Sequence, residues 1–237
     1  MKLEISKVHD AYGRPGECPL CLLEEDAEKT YLRSFQHSRV MEPNVRVQTN
    51  RQGFCPGHFR KLYDGENKLG LGLVVHTHLQ SLRRIVEAEL DSLVKSAGGR
   101  NGRDRAAAEA AALAKRNGSC FICGLLDADV QRYVVTILYL WSKDPEFPPV
   151  FRASRGFCIP HFARVLDQAS TAMRADRFER WLADAVPLMK ASLESLDGDL
   201  RAFTQLHQAA AGPGTDRERT ALARTLQKIA GGLFGGR

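Results

Sequence analysis

The chain has 237 residues, a net charge of +6 and 43% hydrophobic residues, enough to form a folded core. Half of the positive excess lies in the short segment 98–119, which argues against nucleic acid as a partner because such proteins carry clustered basic faces. The sequence has no apolar signal segment at its start and no apolar run long enough to span a membrane. Cysteines in such a chain are typical of a reducing compartment, so we expect a cytoplasmic protein without a transmembrane segment.

In chain order, the segments of the first half have the periodicity of helices. Apolar residues recur every three or four positions over 20–35, which predicts a helix with one apolar face. Pro43 is expected to end this region, with a short extended piece at 45–47. A longer helix is predicted over 69–93, where apolar residues again form one stripe.

The second half repeats this plan after a linker. Segment 98–105 is rich in glycine and arginine and is followed by an alanine-rich stretch that favours a helix. An apolar stripe of helical periodicity runs over 126–140, and a further helix begins near Ala175. Pro187 is expected to split or kink that helix because proline lacks the N–H that the helix needs.

The C-terminal tail is predicted to end in an amphipathic helix. Thr215 and Glu218 have the spacing of a capping box, which marks a helix start. Apolar residues then follow at helical spacing: Leu222, Leu226, Ile229 and Leu233. We expect this helix to pack back on the body of the protein, with binding to a partner or a membrane surface as the alternative.

One motif occurs twice and contains all six cysteines of the chain. Each copy has a Cys-x2-Cys pair followed, after 34 or 35 positions, by Gly-Phe-Cys-x2-His-Phe. Three thiolates and one imidazole form a ligand set that zinc binds in closed tetrahedral sites. We therefore predict two zinc ions per chain, with these ligands: Cys18, Cys21, Cys55 and His58 in the first copy, and Cys120, Cys123, Cys158 and His161 in the second.

The spacing leaves the pairing of these ligands open. Pairing within each copy is the simplest arrangement, but an exchange of ligands between the copies fits the same spacing. A closed structural site is the first interpretation, because four strong ligands leave no position for a substrate. The alternatives are zinc that leaves on oxidation, a catalytic zinc with a displaceable ligand, and iron or a disulfide.

Equivalent cysteines are about one hundred residues apart, since Cys18 to Cys120 is 102 positions and Cys55 to Cys158 is 103. Such a period favours two related halves. The expected fold is mainly α, with two homologous helical halves, each pinned by a Cys3His zinc site. The predicted divisions are a first zinc-pinned half at 1–97, a linker at 98–105, a second zinc-pinned half at 106–200 and a helical tail at 201–237.

Five polar residues form a candidate pocket beside the first zinc motif: Glu42, Asn44, Arg46, Asn50 and His78. They could bind a ligand, and His78 with Glu42 or Arg46 could exchange protons with one. The structural alternative is a loop whose side chains cap helices, beside a half-buried core histidine. Motifs of metalloproteases, phosphate-binding loops, serine hydrolases and dinucleotide-binding folds are missing from the sequence.

Several segments of the chain together resemble an uncharacterised bacterial family, domain-of-unknown-function family 6062. The resemblance lies in these segments: Met41–Arg46, Thr49–Cys55, Leu69–Gly72, Tyr139–Phe147 and Gly156–Cys158. It covers about residues 5–200, so the linker and the tail are expected to be specific to this chain. The resemblance implies a bacterial cytoplasmic protein with paired Cys/His motifs, and it implies no activity.

The leading functional hypothesis is a binding or interaction module held together by two structural zinc sites. Its partner would be a protein or a small molecule, and a homo-oligomer is compatible with the sequence. The alternatives are an enzyme with a pocket around His78, Glu42 and Arg46, and a redox or metal sensor. The sequence leaves the choice between enzyme and binding module open.

Overall fold

The computed structural model describes residues 3–37, 39–96, 99, 101–116, 119–208 and 214–234. These residues are mainly α-helical and include no β-strand, which confirms the predicted fold class. The helices are α1 (Ile5–Tyr12), α2 (Pro19–Gln36), α3 (Pro43–Gln52), α4 (Pro56–Asp64), α5 (Lys68–Ser96), α6 (Gly102–Arg116), α7 (Phe121–Lys143), α8 (Phe147–Ala153), α9 (Ile159–Ala172), α10 (Ala175–Gln208), α11 (Asp216–Arg219) and α12 (Ala221–Ala230). A 3-10 turn, Arg39–Met41, precedes α3. Among the described residues, no helix combines the length and the apolar character that crossing a bilayer requires.

The chain divides into two compact units. Residues 1–27 and 128–237 form the first unit, and residues 28–127 form the second. Each division falls inside a helix, so α2 and α7 both contribute residues to the two units. The second unit is therefore one continuous stretch of sequence, whereas the first is assembled from the two ends of the chain.

The first unit has a core of apolar side chains from α1, α7, α8, α9 and α10. Val130, Ile137 and Trp181 are fully buried within it. Three cysteines belong to the same core: Cys18, Cys21 and Cys158. The two cysteine turns of this unit are therefore part of its packed interior.

The second unit contains a cluster of phenylalanine rings. The centre of the Phe35 ring lies 5.6 Å from that of Phe54 and 5.7 Å from that of Phe121, and both pairs are edge-to-face. The ring of Phe54 lies 5.3 Å from that of Phe59 in α4. Edge-to-face pairs of this kind each add about 0.5–1.5 kcal/mol beyond the area they bury. Because Phe54 and Phe121 each adjoin a cysteine in sequence, this cluster fixes the two cysteine turns of the second unit.

Two predicted helices, over 20–35 and 69–93, are confirmed as α2 and α5. The extended piece expected at 45–47 is wrong, because these residues lie within α3. Pro43 occupies the first turn of α3, where a helix needs no N–H donor. Proline therefore begins a helix here instead of interrupting one.

In the second half of the chain, the alanine-rich helix is confirmed as α6, which begins at Gly102 and so includes residues 102–105 of the predicted linker. Residues 98 and 100 of that linker lie outside the described residues. Helix α10 continues through Pro187 without a split.

The tail helix packs against other helices of the first unit, as predicted, but it does so through its polar face and not through its apolar stripe. Thr215 and Glu218 form the expected capping box at the start of α11. Helix α12 lies against α9 and α10. Its buried residues are Ala221, Gln227 and Lys228, whereas its large apolar residues are exposed: Leu222, Leu226, Ile229 and, just beyond the helix, Leu233.

Candidate metal centres

The eight predicted ligands lie in two clusters of four. Cluster 1 consists of Cys18, Cys21, Cys158 and His161, and cluster 2 consists of Cys55, His58, Cys120 and Cys123. Within each cluster, the sulfur and nitrogen atoms all lie within 4.8 Å of one another. The structure thus has the exchanged pairing that the spacing left open: each Cys-x2-Cys pair meets the Cys-x2-His pair of the other sequence copy. The simpler expectation, pairing within each sequence copy, is therefore wrong. Each cluster lies within one of the two units.

Both clusters are built from the starts of two helices. Cys18 directly precedes α2 and Cys158 is the N-cap of α9, while Cys120 directly precedes α7 and Cys55 is the N-cap of α4. The second ligand of each pair lies three residues later, in the first turn. The partial positive charge of a helix N-terminus stabilises thiolates, so this placement favours the deprotonated ligands that a metal requires.

The glycine of each Gly-Phe-Cys segment is required by the backbone. Gly53 has φ 61° and ψ −152°, and Gly156 has φ 69°, a region that other residues rarely occupy. A Cβ atom on Gly53 would lie 2.6 Å from His78 Nε2, and one on Gly156 would lie 2.8 Å from Met189 Sδ. These glycines let the chain turn sharply into the helices that carry the following cysteine and histidine.

Cluster 1 is fully buried. His161 Nδ1 lies 3.5 Å from the sulfur of Cys18, 3.5 Å from that of Cys21 and 3.2 Å from that of Cys158. The Cys21 and Cys158 sulfurs are 3.6 Å apart. The four donor atoms therefore face a common centre, to which His161 presents Nδ1.

A buried lysine from α12 lies beside cluster 1. The Lys228 ammonium donates hydrogen bonds to the carbonyl oxygens of Glu17 (3.1 Å), Arg155 (2.6 Å) and Phe157 (3.2 Å). It also lies 3.7 Å from the Glu17 carboxylate, which accepts hydrogen bonds from Arg155 and Arg224. Glu17 and Phe157 are the residues just before two cysteine ligands, so this network fixes both cysteine turns.

The end of α12 covers cluster 1 directly. A Cβ atom on Gly231 would lie 3.6 Å from Cys158 Sγ. Hydrogen bonds with the other two thiols lower the pKa of Cys158 to about 4. Burial lowers the pKa of Lys228, while the Glu17 carboxylate and the nearby thiols oppose that effect. Three thiolates around a divalent ion would leave a net negative charge, which the adjacent ammonium would balance.

Cluster 2 has the same geometry in more open surroundings. His58 Nδ1 lies 3.2 Å from the sulfur of Cys55 and 3.3 Å from those of Cys120 and Cys123. His58 and Cys120 are buried, Cys55 is half-buried and Cys123 is exposed. The two clusters therefore offer the same ligands with very different access from solvent.

The histidine of each cluster has a glutamate beside its other ring nitrogen, and the two glutamates lie one turn apart on α2. Glu28 Oε1 lies 2.9 Å from His58 Nε2 and also pairs with Lys61, and Glu24 Oε2 lies 3.5 Å from His161 Nε2. The hydrogen bond from His58 lowers the pKa of Glu28 to about 2. Carboxylates in this position orient the imidazole and strengthen it as a ligand. Our sequence reasoning missed both glutamates.

Protons are shared unequally within cluster 2. Burial raises the pKa of Cys120, but the hydrogen bonds with His58, with the backbone of Cys123 and Cys55 and with the Cys123 side chain together outweigh this effect and lower the pKa to about 6. Burial and the neighbouring thiols raise the pKa of Cys123 to about 12. Burial lowers the pKa of His58, but its bonds to Cys120 and Glu28 prevail and raise it to about 10. A metal ion that binds here must displace protons from His58 and Cys123 at neutral pH.

A groove of about 780 Å³ lies in the second unit, between α3 and α5. Its lining is mostly apolar and includes Val47, Phe54, Phe59, Val75, Leu79, Leu82 and Ile85. Polar groups come from Asn50, Arg51, His78 and Ser119. His78 Nδ1 donates a hydrogen bond to the Asn50 carbonyl at 3.0 Å, which leaves Nε2 of the neutral ring as an acceptor next to Gly53.

Three of the five candidate pocket residues lie at this groove or support it. Asn50 and His78 line it, and Arg46 donates to Leu73 O (2.8 Å) and Thr77 Oγ1 (2.9 Å), which ties α3 to α5. Glu42 and Asn44 are exposed at the start of α3 and do not line the groove.

Comparisons with known proteins give a family but no activity. Over 155 residues, 65% of this chain and 68% of the other, the chain is 24% identical to "Uncharacterized 23.9 kDa protein in xynA 3'region" of Caldicellulosiruptor sp. (strain Rt8B.4). No solved structure matches it. The family described as "Family of unknown function (DUF6062)" matches residues 1–235. The linker and the tail are part of this match, so the expectation that they are specific to this chain is wrong. The chain belongs to this family.

Proposed function

We propose that this DUF6062 protein binds one zinc ion in cluster 1 and one in cluster 2, and that both ions stabilise the fold. The observation that carries the proposal is the convergence of four donor atoms, within 4.8 Å of one another, in each cluster. Three thiolates and an imidazole favour zinc over metals that prefer oxygen ligands. Four protein ligands also fill the tetrahedral shell, which is typical of structural rather than catalytic zinc.

Each ion would join segments that are remote in sequence. Cys21 and Cys158 are 137 positions apart in cluster 1, and His58 and Cys120 are 62 positions apart in cluster 2. Because the ligands of each site come from two helix starts, zinc binding contributes directly to the free energy of folding. Six thiols used as metal ligands need reducing conditions, which supports a cytoplasmic location.

The test is the metal content of untagged protein purified without chelator, measured by elemental analysis together with a thiol count. We expect two zinc ions per chain and no freely reactive thiols. Removal of zinc should lower the helical circular dichroism signal and the thermal midpoint. Protein that holds no zinc when purified this way, or holds iron instead, would contradict the proposal.

We further propose that the groove between α3 and α5 binds a small amphipathic molecule, so that the protein acts as a binding module. The groove volume lies within the range of small-molecule sites, and a mostly apolar lining with a few polar groups is typical of them. Arg51 at the rim favours an anionic end group. Arg46 is engaged with α5, and Glu42 lies outside the groove, so the geometry favours binding over acid–base catalysis at His78.

A fluorescent anilinonaphthalene sulfonate, which is apolar with one anionic end, is a suitable probe for this groove. Leu79→Arg should strongly weaken its binding, because Leu79 is exposed on the apolar wall of the groove and a charged side chain there removes apolar surface that the probe's rings would cover. Leu90→Arg is the matched control, since Leu90 is exposed on the same helix and lies outside the groove lining. Equal binding by both variants and the unmodified protein would contradict this part of the proposal.

A further inference from the structure

We infer that cluster 2 is a peroxide-sensitive zinc site, in which oxidation of Cys123 and Cys55 to a disulfide releases the metal while cluster 1 keeps its own. The inference rests on the proposed zinc binding and adds a modification site and a regulatory role to it. It is carried by the difference in access between two clusters with the same ligands.

Cys123 is exposed to solvent, and the space beside it, through which an oxidant would reach its thiol, is also open. Gly124 follows it, and a Cβ atom there would meet nothing closer than Gln52 Oε1 at 4.0 Å. Gly57 lies between Cys55 and His58, and a Cβ atom there would meet only the Cys55 sulfur, at 3.9 Å. Two exposed glycines thus leave room for a small oxidant beside the two most accessible sulfurs of the cluster.

Cluster 1 lacks this access. Its Cys-x2-His turn contains Ile159 and Pro160 where cluster 2 has Pro56 and Gly57. Its ligands are all buried, and the chain at Gly231 covers one of its sulfurs. The same chemistry is therefore expected to be slow at cluster 1.

A second thiol is within reach of the first. The sulfurs of Cys55 and Cys123 are 3.8 Å apart, compared with about 2.05 Å in a disulfide. Cys55 is the N-cap residue of α4, and Cys123 lies in the first turn of α7, so small movements of two helix starts bring the sulfurs together. No other part of the chain has to supply the second thiol.

The reaction needs only a hydroperoxide, ROOH. The zinc-bound Cys123 thiolate attacks the terminal peroxide oxygen, the O–O bond breaks, and the products are the sulfenic acid and RO⁻, which takes up a proton to give ROH. The Cys55 thiolate then attacks the sulfenic sulfur, the S–O bond breaks, and hydroxide leaves and is protonated to water. Two thiolates, one hydroperoxide and two protons thus become one disulfide, one ROH and one water. Zinc retains only His58 and Cys120 as ligands and dissociates as Zn²⁺.

Loss of this zinc would change the shape of the proposed binding groove. Gly53 and Phe54 line the groove and directly precede Cys55. The Gly53 carbonyl also accepts a hydrogen bond from the Phe121 N–H, next to Cys120, at 3.0 Å. A shift of the two helix starts therefore moves the groove wall, so that oxidation would regulate what the groove binds.

The test uses zinc-loaded, full-length protein treated with hydrogen peroxide. Zinc release is followed with a chromogenic chelator, and oxidised thiols are located by alkylation and mass spectrometry. We expect the loss of one of two zinc ions, with a disulfide between Cys55 and Cys123. Release of both ions at the same rate, oxidation of cluster 1 first, or retention of both ions with all thiols reduced would overturn the inference and leave zinc binding intact. Protein without zinc before oxidation would overturn the proposed function and this inference with it.

Two matched variants separate the sites. Cys123→Ser should hold one zinc ion, in cluster 1, that resists peroxide. Cys21→Ser should hold one zinc ion, in cluster 2, that peroxide releases. Release of zinc by peroxide from Cys123→Ser, or retention of zinc by Cys21→Ser, would overturn the assignment of cluster 2 as the peroxide-sensitive site. If Cys21→Ser fails to fold, peptide mapping of the unmodified protein still decides it.

Discussion

Clusters 1 and 2 have the same four ligand types at equivalent positions of helix starts, but different surroundings. Cluster 1 is enclosed by the core of the first unit and by α12, with the Lys228 ammonium beside it. Cluster 2 keeps one thiol exposed and has glycines at its open side. The comparison shows that one ligand motif can lie in two different surroundings, and we expect the residues packed over each site to determine how easily a bound metal leaves.

The largest expected difference between the two clusters is in how much the loss of one ligand lowers the free energy of unfolding. Cys158→Ala removes a ligand from the packed core of the first unit, and we expect it to lower the free energy of unfolding by more than about 4 kcal/mol. Cys123→Ala removes an exposed ligand and should cost less, because the apolar packing around it is sparse. Denaturant unfolding followed by circular dichroism measures both. An equal loss in the two variants would mean that burial does not distinguish the sites.

The cover over cluster 1 is tested by Lys228→Met. This change leaves three carbonyl oxygens without this donor, those of Glu17 and Phe157 buried and that of Arg155 part-buried, and we expect a loss of about 1–3 kcal/mol in the free energy of unfolding. Transfer of the zinc of cluster 1 to a chelator should also become faster. Lys190→Met is the control, because Lys190 is exposed on α10. Unchanged zinc retention in Lys228→Met would show that α12 does not protect the site.

The glutamates behind the histidines are expected to differ in importance. Glu28→Gln should weaken zinc binding at cluster 2 by about 10–100-fold, since the carboxylate that orients His58 is lost. Glu24→Gln should have a smaller effect at cluster 1, because Glu24 is more exposed and its oxygen lies 3.5 Å from His161 compared with 2.9 Å for Glu28 and His58. Competition with a zinc chelator of known affinity measures both, and a larger effect for Glu24→Gln would reverse our ranking.

The two Gly-Phe-Cys turns give the smallest expected difference. Alanine at Gly53 or Gly156 is forced to a positive φ, which costs about 1–3 kcal/mol. Gly53→Ala should cost more, because its Cβ would meet the His78 ring, whereas at Gly156 it meets the thioether of Met189, which can move. Thermal midpoints of the two variants provide the measurement, and a larger loss in Gly156→Ala would contradict the expected order.

Sequence reasoning predicted the cysteines and histidines that form the two clusters, and the main helices, because both depend on local spacing. It did not settle the pairing of the ligands, because the exchanged and local arrangements use the same residues at the same spacing. The signal for the supporting glutamates was present, since Glu24 and Glu28 follow Cys21 at three and seven positions and so share its helix face. Which histidine each glutamate faces depends on the exchange, and that is a property of the tertiary fold.

Hydropathy also misjudged the tail helix. The four apolar residues around α12 predict a buried stripe, yet the buried residue that matters is Lys228. A lysine can be buried when carbonyl oxygens and a carboxylate satisfy its ammonium, and those groups come from residues 17 and 155–157, far away in sequence. Pattern analysis along the chain has no access to such partners.

The exchange of ligands has a consequence for the order of events on the ribosome. Synthesis runs from the N-terminus, so cluster 2 has all its ligands once residue 123 has emerged, and cluster 1 only after residue 161. Cys18 and Cys21 are thus the first thiols made and the last to be enclosed. We expect the second unit, residues 28–127, to acquire its metal during translation. Cys18 and Cys21 must stay reduced in the cell until Cys158 and His161 have been synthesised.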